Sequence, residues 1–222
     1  MDRKERLVRI CFSVIGVILA GFGVSFLKLA ALGVDPFQAF AAGLNALIPI
    51  PFGTLYLFIG GALLIFSLVL DRHYIGLATV VTFTIQGYVI DFGKVLLFAA
   101  FPDPGLPLRI VSFGIGILLL CFATALYFTA DLGVSAYDAV ALIVTYTLKK
   151  GTFRFNRIFF DCISVLIGSG AFLLSGGKLA ALPEMVGIGT IIIAFCMGPL
   201  VDLMMTRLVR PAYEKMISSP SI

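Results

Sequence analysis

The amino-acid sequence predicts an all-α, polytopic membrane protein. Six transmembrane helices are expected as two inverted three-helix repeats, each with a short broken or re-entrant helix after its first span. Three observations lead there. Hydrophobic residues fill 60% of the 222 positions against 13% charged, with a mean hydropathy of +1.11, whereas soluble domains sit near ~45–50% apolar and ~25% charged. Apolar runs reach the roughly 20 residues that cross about 30 Å of hydrocarbon. Blocks of sequence recur in one order in the two halves of the chain.

The apolar stretches fall at about 7–29, 52–70, 74–98, 107–129, 155–175 and 185–206. They leave only connecting segments and short tails, so a single membrane domain over 1–222 is expected. Within it lie a first repeat at 7–100, a second, inverted repeat at 107–206 and a cytoplasmic tail at 207–222. The first stretch follows Met1-Asp2-Arg3-Lys4-Glu5-Arg6 and is longer than the apolar region of a secretory signal. It reads as a retained span.

Basic residues orient the spans. Arg3, Lys4, Arg6, Arg9, Arg72, Lys149, Lys150, Arg154, Arg157, Arg207, Arg210 and Lys215 share one side, and Lys28, Lys94, Arg109 and Lys178 the other. The richer side is cytoplasmic under the positive-inside rule, so both termini are expected inside. The net charge of +4 is then a topology signal, and no nucleic-acid partner is expected. Cys11, Cys121, Cys162 and Cys196 all fall within spans at no ligand spacing, which reads as packing and excludes a metal motif.

The repeat shows first at Leu32-Gly33-Val34, which returns as Leu132-Gly133-Val134. Each follows an apolar run and an alanine (Ala30, Ala130), and each precedes an aromatic residue (Phe37, Tyr137). Gly53-Thr54 and Gly151-Thr152 then open the second spans. In the third spans Gly76-Leu77-Ala78-Thr79 matches Gly187-Ile188-Gly189-Thr190, and Gly87 through Asp91 matches Gly198 through Asp202. Three spans per unit is an odd number, so the second copy enters the membrane inverted. Secondary transporters are commonly built so, although channels are too.

After each Leu-Gly-Val a short helix is expected, near 36–48 and 136–148. Asp35-Pro36-Phe37-Gln38 has the form of a capping box with proline at the first helical position. Ser135-Ala136-Tyr137-Asp138 has the same form. Neither helix is long enough to span. A helix start buried at membrane depth offers N–H groups to a ligand, so Asp35, Gln38, Ser135, Tyr137 and Asp138 are candidate substrate-binding residues. The plain alternative is that they only cap helices. Asn45 and Gln86 join the candidates as neutral polar groups able to bridge helices, with Thr84 of the same kind.

Ionisable groups within spans need a reason. Asp91 and Asp202 hold matched positions in the third spans, with Lys94 beside one and Arg207 and Arg210 beyond the other. They read either as interfacial residues or as paired ion or proton sites. Asp161 lies inside the fifth span opposite an apolar counterpart, Leu63, and four residues after Arg157. It reads as half of an ion pair at the cytoplasmic edge or as a proton-coupling site. His73, the one histidine, falls in an inner loop and is expected to be solvated.

At Leu32-Gly33-Val34-Asp35-Pro36-Phe37, with Phe52-Gly53-Thr54 next and Gly87-Tyr88-Val89-Ile90-Asp91 closing the third span, the chain resembles the YczE/YyaS/YitT family of bacterial membrane proteins. The family pattern reads approximately Ala-x-Leu-Gly-x-x-Pro-Trp-Asp-x-Leu, then Ser-x-Gly-Thr, then Gly-x-x-Ile-Asp. Here Gln38 stands where the family often has Asp, and the second copy keeps Tyr137 and Asp138 but has Ala136 in place of the proline. The likeness covers roughly 10–205. It implies six spans, the bacterial inner membrane and transport, in a little-characterised family, and it names no substrate.

The function expected is secondary transport of a small organic solute, anionic solutes included, by alternating access between the repeats. The alternative is a non-transporting membrane scaffold, or a small-molecule-binding subunit of a larger complex. Homo-oligomers and partner subunits fit either reading. No Walker-type phosphate loop, His/Asp cluster or nucleophile elbow occurs. The chain is therefore expected to be no enzyme and to need no cofactor or metal.

Overall fold

A computed structural model describes residues 3–50 and 52–218. The first two residues of the expected membrane domain, Pro51, and positions 219–222 of the expected tail lie outside the described residues. Every regular element among the described residues is helical. The main ones are α1 (Arg3–Ala30), α2 (Pro36–Leu47), α3 (Phe52–Leu70), α4 (Leu77–Ala100), α5 (Leu106–Ala130), α6 (Ala136–Thr147), α7 (Phe153–Leu174) and α8 (Ile188–Ser218). A π-helical turn lies within α4 at Thr82–Gln86, at the end of α6 at Ile143–Thr147, and within α8 at Met205–Val209.

Five of these, α1, α4, α5, α7 and α8, have the length and apolarity to cross a bilayer. The expected second span forms α3, which has 19 residues and rises about 28 Å, at the short limit of a bilayer core. The last span and the tail are one helix, since α8 runs unbroken from Ile188 to Ser218. Large apolar side chains stand exposed along many helices, among them Val69, Tyr88, Val95 and Leu174. So much outward apolar surface suits lipid rather than water.

The chain divides into two compact units, each drawn from both halves of the sequence. Unit one holds Met1–Ala30, Arg72–Ser135 and Pro199–Ile222; unit two holds Ala31–Asp71 and Ala136–Gly198.

In unit one α1 packs along α5 through Gly16, Gly23 and Gly116. It meets α4 where the Ser25 hydroxyl donates to the Ile90 carbonyl at 3.0 Å. Ala125, Leu126, Met205 and Val209 form an apolar cluster with Phe12 and Leu19 against it. The last carbonyl of α1, on Ala30, accepts from Arg109 Nε at 2.7 Å. Asp131, after α5, pairs with His73 at 2.8 Å and lies 3.6 Å from Arg9. His73 is exposed as expected, yet it is engaged in that pair.

Each Leu-Gly-Val break is held by a backbone strap. In unit one the Leu132 carbonyl accepts from Ala78 N at 2.9 Å, Val134 N donates to Tyr74 O at 2.9 Å, and the Thr79 hydroxyl donates to Val134 O at 2.7 Å. In unit two the Leu32 carbonyl accepts from Gly189 N at 2.7 Å, Val34 N donates to Met185 O at 3.4 Å, and the Thr190 hydroxyl donates to Val34 O at 2.6 Å. Both breaks demand glycine. Gly33 has φ of +113° and Gly133 +94°, and a Cβ on Gly133 would lie 2.3 Å from Gly76 N. Such φ values cost an L side chain energy, and the backbone crossing leaves it no room.

Candidate functional site

Unit two contains both short helices. α2 starts as expected: the Asp35 carboxylate accepts from Phe37 N at 3.0 Å and Gln38 N at 3.4 Å, with Pro36 at the first helical position. The reciprocal bond of a capping box is not made, because the Gln38 side chain does not return to the cap. Near the start of α6, Asp138 accepts from a cation, Arg157. The first turns of α2 and α6 meet, with the Phe37 and Tyr137 rings stacked at 4.8 Å between centroids. Phe37 also sets an edge against Tyr56 of α3 at 5.3 Å.

α7 presents a polar stripe to this meeting point. Arg157, Asp161, Ser164 and Gly168 recur at helical spacing and are all buried, as one face of a 3.6-residue helix requires. Gly168 lets α2 lie directly on α7: a Cβ there would stand 2.5 Å from the Ala39 carbonyl oxygen. The stripe's charged end is therefore enclosed by the two helix starts.

The charged groups form one network. Arg157 donates from Nε to Asp161 Oδ2 at 3.2 Å, from Nη1 to Asp138 Oδ1, and from Nη2 to Met197 Sδ at 3.5 Å. Its guanidinium carbon lies 4.7 Å from the Tyr137 ring centroid. The Tyr137 hydroxyl donates to Asp161 Oδ1 at 2.6 Å and stands 3.2 Å from Ser164 Oγ. Asp161 is fully buried, and Asp138 and Arg157 are each 4% exposed. Asp35, half-buried, lies within electrostatic range of Arg157. Buried ions persist only when paired and hydrogen-bonded, and here one guanidinium holds two carboxylates in place.

Of the residues singled out from sequence, Asp35, Tyr137, Asp138 and Asp161 come together. The i, i+4 pair of Arg157 and Asp161 exists, but it is buried and shared with Asp138 rather than lying at a solvated edge. Gln38 is half-buried on α2 without joining the network. Asn45 instead ties down the turn after α2, donating to the Ile50 carbonyl at 2.7 Å. Ser135, Gln86, Asp91 and Asp202 belong to unit one. Asp91 is exposed and makes no ion pair with Lys94 within 4 Å, while Lys28 lies within electrostatic range of both. Sequence reading missed Arg157 as a central group, along with Tyr56, Ser164 and Met197. The signal available was the Arg157–Asp161–Ser164 spacing on one helical face. Among the described residues no group of three or more potential metal ligands occurs.

Apolar helices of spanning length and a charged cluster enclosed by helix starts define a multi-pass helical membrane protein. Its lineage is equally definite. The chain belongs to the family described as "Family of unknown function (DUF6198)", whose model matches residues 7–206. It is 27% identical over 184 residues to "Uncharacterized protein YyaS" of Bacillus subtilis (strain 168), covering 83% of this chain and 85% of that one. It is 26% identical over 144 residues to "Uncharacterized membrane protein YczE" of the same organism, covering 64% of this chain and 66% of that one. The family resemblance read from the Leu-Gly-Val and Gly-Thr motifs is thereby borne out. No solved structure matches the chain.

Proposed function

We propose that the protein is a secondary transporter of a small organic solute, working by alternating access between two inverted three-helix repeats with α3 as the sixth span. One observation carries this reading. Two short helices begin at matched chain breaks, meet at their first turns, and enclose the buried Arg157–Asp138–Asp161 network. Broken helices whose starts converge on a polar site are how many transporters bind cargo within the bilayer. The repeat reading is supported by the two straps, which use the same three hydrogen bonds at matched positions with the halves of the chain exchanged. Irregular backbone at membrane depth needs such internal satisfaction.

In this reading the solute meets Asp35, Tyr137 and Asp138, Asp161 couples an ion or proton, and the chain carries its cargo without chemical change. Asp91 and Asp202 would guard the two entrances. The family likeness and the placement of basic residues support the bacterial inner membrane with both termini cytoplasmic as its setting. The test is uptake by purified protein in proteoliposomes, screened with a labelled metabolite panel with and without a pH gradient. Saturable uptake that Asp138→Asn or Asp161→Asn abolishes is expected. No uptake of any solute by folded protein that co-purifies with a stable partner would instead favour the scaffold or binding-subunit role.

A further inference from the structure

We propose that the solute is a small organic monocarboxylate: its carboxylate takes the place of the Met197 sulfur on Arg157, and one proton travels with it on Asp161. This rests on the transport reading and names the class of its cargo.

The first argument is the unfinished bonding of Arg157. A guanidinium has five N–H donors and no acceptor. Nε donates to Asp161, Nη1 to Asp138 and Nη2 to the Met197 sulfur at 3.5 Å, and Arg157 makes no other hydrogen bond among the described residues. Both N–H groups of Nη2 and one of Nη1 therefore meet no oxygen there, on a side chain only 4% exposed. A thioether is a weak acceptor, and leaving the donors of a buried charge unmet is costly. The two Nη groups form a fork that fits the paired oxygens of a carboxylate, and the sulfur marks where the first oxygen sits. Met197 can give way. Its side chain is unbranched and adaptable, and Pro199 within the same helix removes the N–H that would bond back to the Phe195 carbonyl.

The second argument is the place kept for a proton. The ionisable groups facing Arg157 and Asp161 are Asp35 at the start of α2 and Tyr137 and Asp138 on α6. Tyr56 of α3 lies within electrostatic range of Asp35, and α8 brings the uncharged Met197. Two carboxylates already bond to Arg157, so a third on the same cation brings repulsion that burial magnifies. A proton on one resident carboxylate relieves it, and Asp161 has the geometry to carry that proton. Its Oδ1 accepts from the Tyr137 hydroxyl at 2.6 Å, and the same hydroxyl stands 3.2 Å from Ser164 Oγ. Once Asp161 is protonated, its O–H donates to Tyr137 and the Tyr137 proton turns to Ser164. Both states of Asp161 thus keep their hydrogen bonds. One carboxylate and one proton cross together, and no net charge moves.

The experiment uses the full-length protein, first in detergent for binding and then in phosphatidylethanolamine–phosphatidylglycerol liposomes for uptake. Glycolate, lactate and benzoate are each compared with the matching amide, which keeps the shape and loses the charge. At least one acid is expected to raise the melting temperature of the wild type while its amide leaves it alone. Met197→Gln sets an amide oxygen where the sulfur stands and should weaken binding of that acid at least tenfold in protein that melts no lower. Cys196→Ser, an exposed neighbour on the same helix, should change nothing. Labelled lactate should enter liposomes saturably, faster with acid outside and at a rate indifferent to an imposed membrane potential. Amides that protect as well as their acids, or no protection by either, overturn the assignment; in the latter case Arg157 holds only water. Acid binding unchanged in Met197→Gln, or uptake that carries net charge, also overturns it. If Met197→Gln does not fold, the wild-type comparison of acid with amide decides. Saturable uptake of other solutes alone overturns the carboxylate and leaves transport standing, whereas acid binding as expected with no uptake keeps the seat and defeats the transport reading itself.

Discussion

Arg157 is the side chain on which the polar interior of unit two turns. Replacing it with methionine keeps much of the volume but leaves Asp138 and Asp161 buried without their cation. Breaking a buried pair from one side costs about 3–5 kcal/mol. Arg157→Met should therefore lower the thermal midpoint of the detergent-solubilised protein sharply. Adding Asp138→Asn and Asp161→Asn to Arg157→Met should restore much of the loss, because the orphaned charges go with their partner. A triple variant no more stable than the single one would show that Arg157 acts by packing alone. Tyr137→Phe removes the hydroxyl that donates to Asp161 at 2.6 Å; a hydrogen bond to a charged group contributes about 1.5–3 kcal/mol, and the same melting assay reads it. Asp161 was legible in the sequence as an ionisable residue opposite apolar Leu63. Arg157 was not, because its neighbours in sequence make it look like one more cytoplasmic cation. Its bond to Asp138, nineteen residues away, exists only once α6 has folded back beside α7.

Among helices, the seam between α2 and α7 admits a controlled test. A Cβ on Gly168 would lie 2.5 Å from the Ala39 carbonyl oxygen and 2.7 Å from Phe40 Cα, whereas one on Gly170 meets nothing within 4 Å. Gly168→Leu should lower the thermal midpoint by far more than Gly170→Leu, which pays only the difference in exposed surface. Equal effects would mean that α2 does not rest on α7. The helix boundaries here were largely legible from chemistry: Asp35-Pro36 set the start of α2, and the Leu-Gly-Val signals marked both breaks. The contacts were not. Sequence comparison aligned Gly76 with Gly187 and Gly33 with Gly133 as equivalent positions. Folding makes partners of Gly33 with Gly187 and of Gly133 with Gly76. Periodicity and caps report where a helix begins and which face is apolar; they carry no record of which distant backbone that face will meet.

For the chain in its bilayer, everything depends on whether α3 crosses. Its 19 residues are enough only for a thin or locally thinned hydrocarbon core, and it is the one expected span that falls short of the other five. With the N-terminus inside, as proposed, a crossing α3 puts the loop at Asp103 outward, Lys149 inward and Lys178 outward. If α3 stays on one side, all three assignments reverse, because one crossing has been removed before each of them. Single cysteines at Asp103, Lys149 and Lys178, all exposed positions, make this a yes-or-no measurement once Cys11, Cys121, Cys162 and Cys196 are replaced and a fourth single cysteine, Lys4→Cys, fixes the N-terminus inside by labelling only after permeabilisation. With a membrane-impermeant maleimide on intact cells, Asp103→Cys and Lys178→Cys should label at once and Lys149→Cys only after permeabilisation. The reverse pattern would put the basic Lys149-Lys150 turn outside, against the charge bias that orients membrane helices. It would also leave the two halves with unequal numbers of spans. The inverted repeat could not then hold, and the matched straps would need another origin.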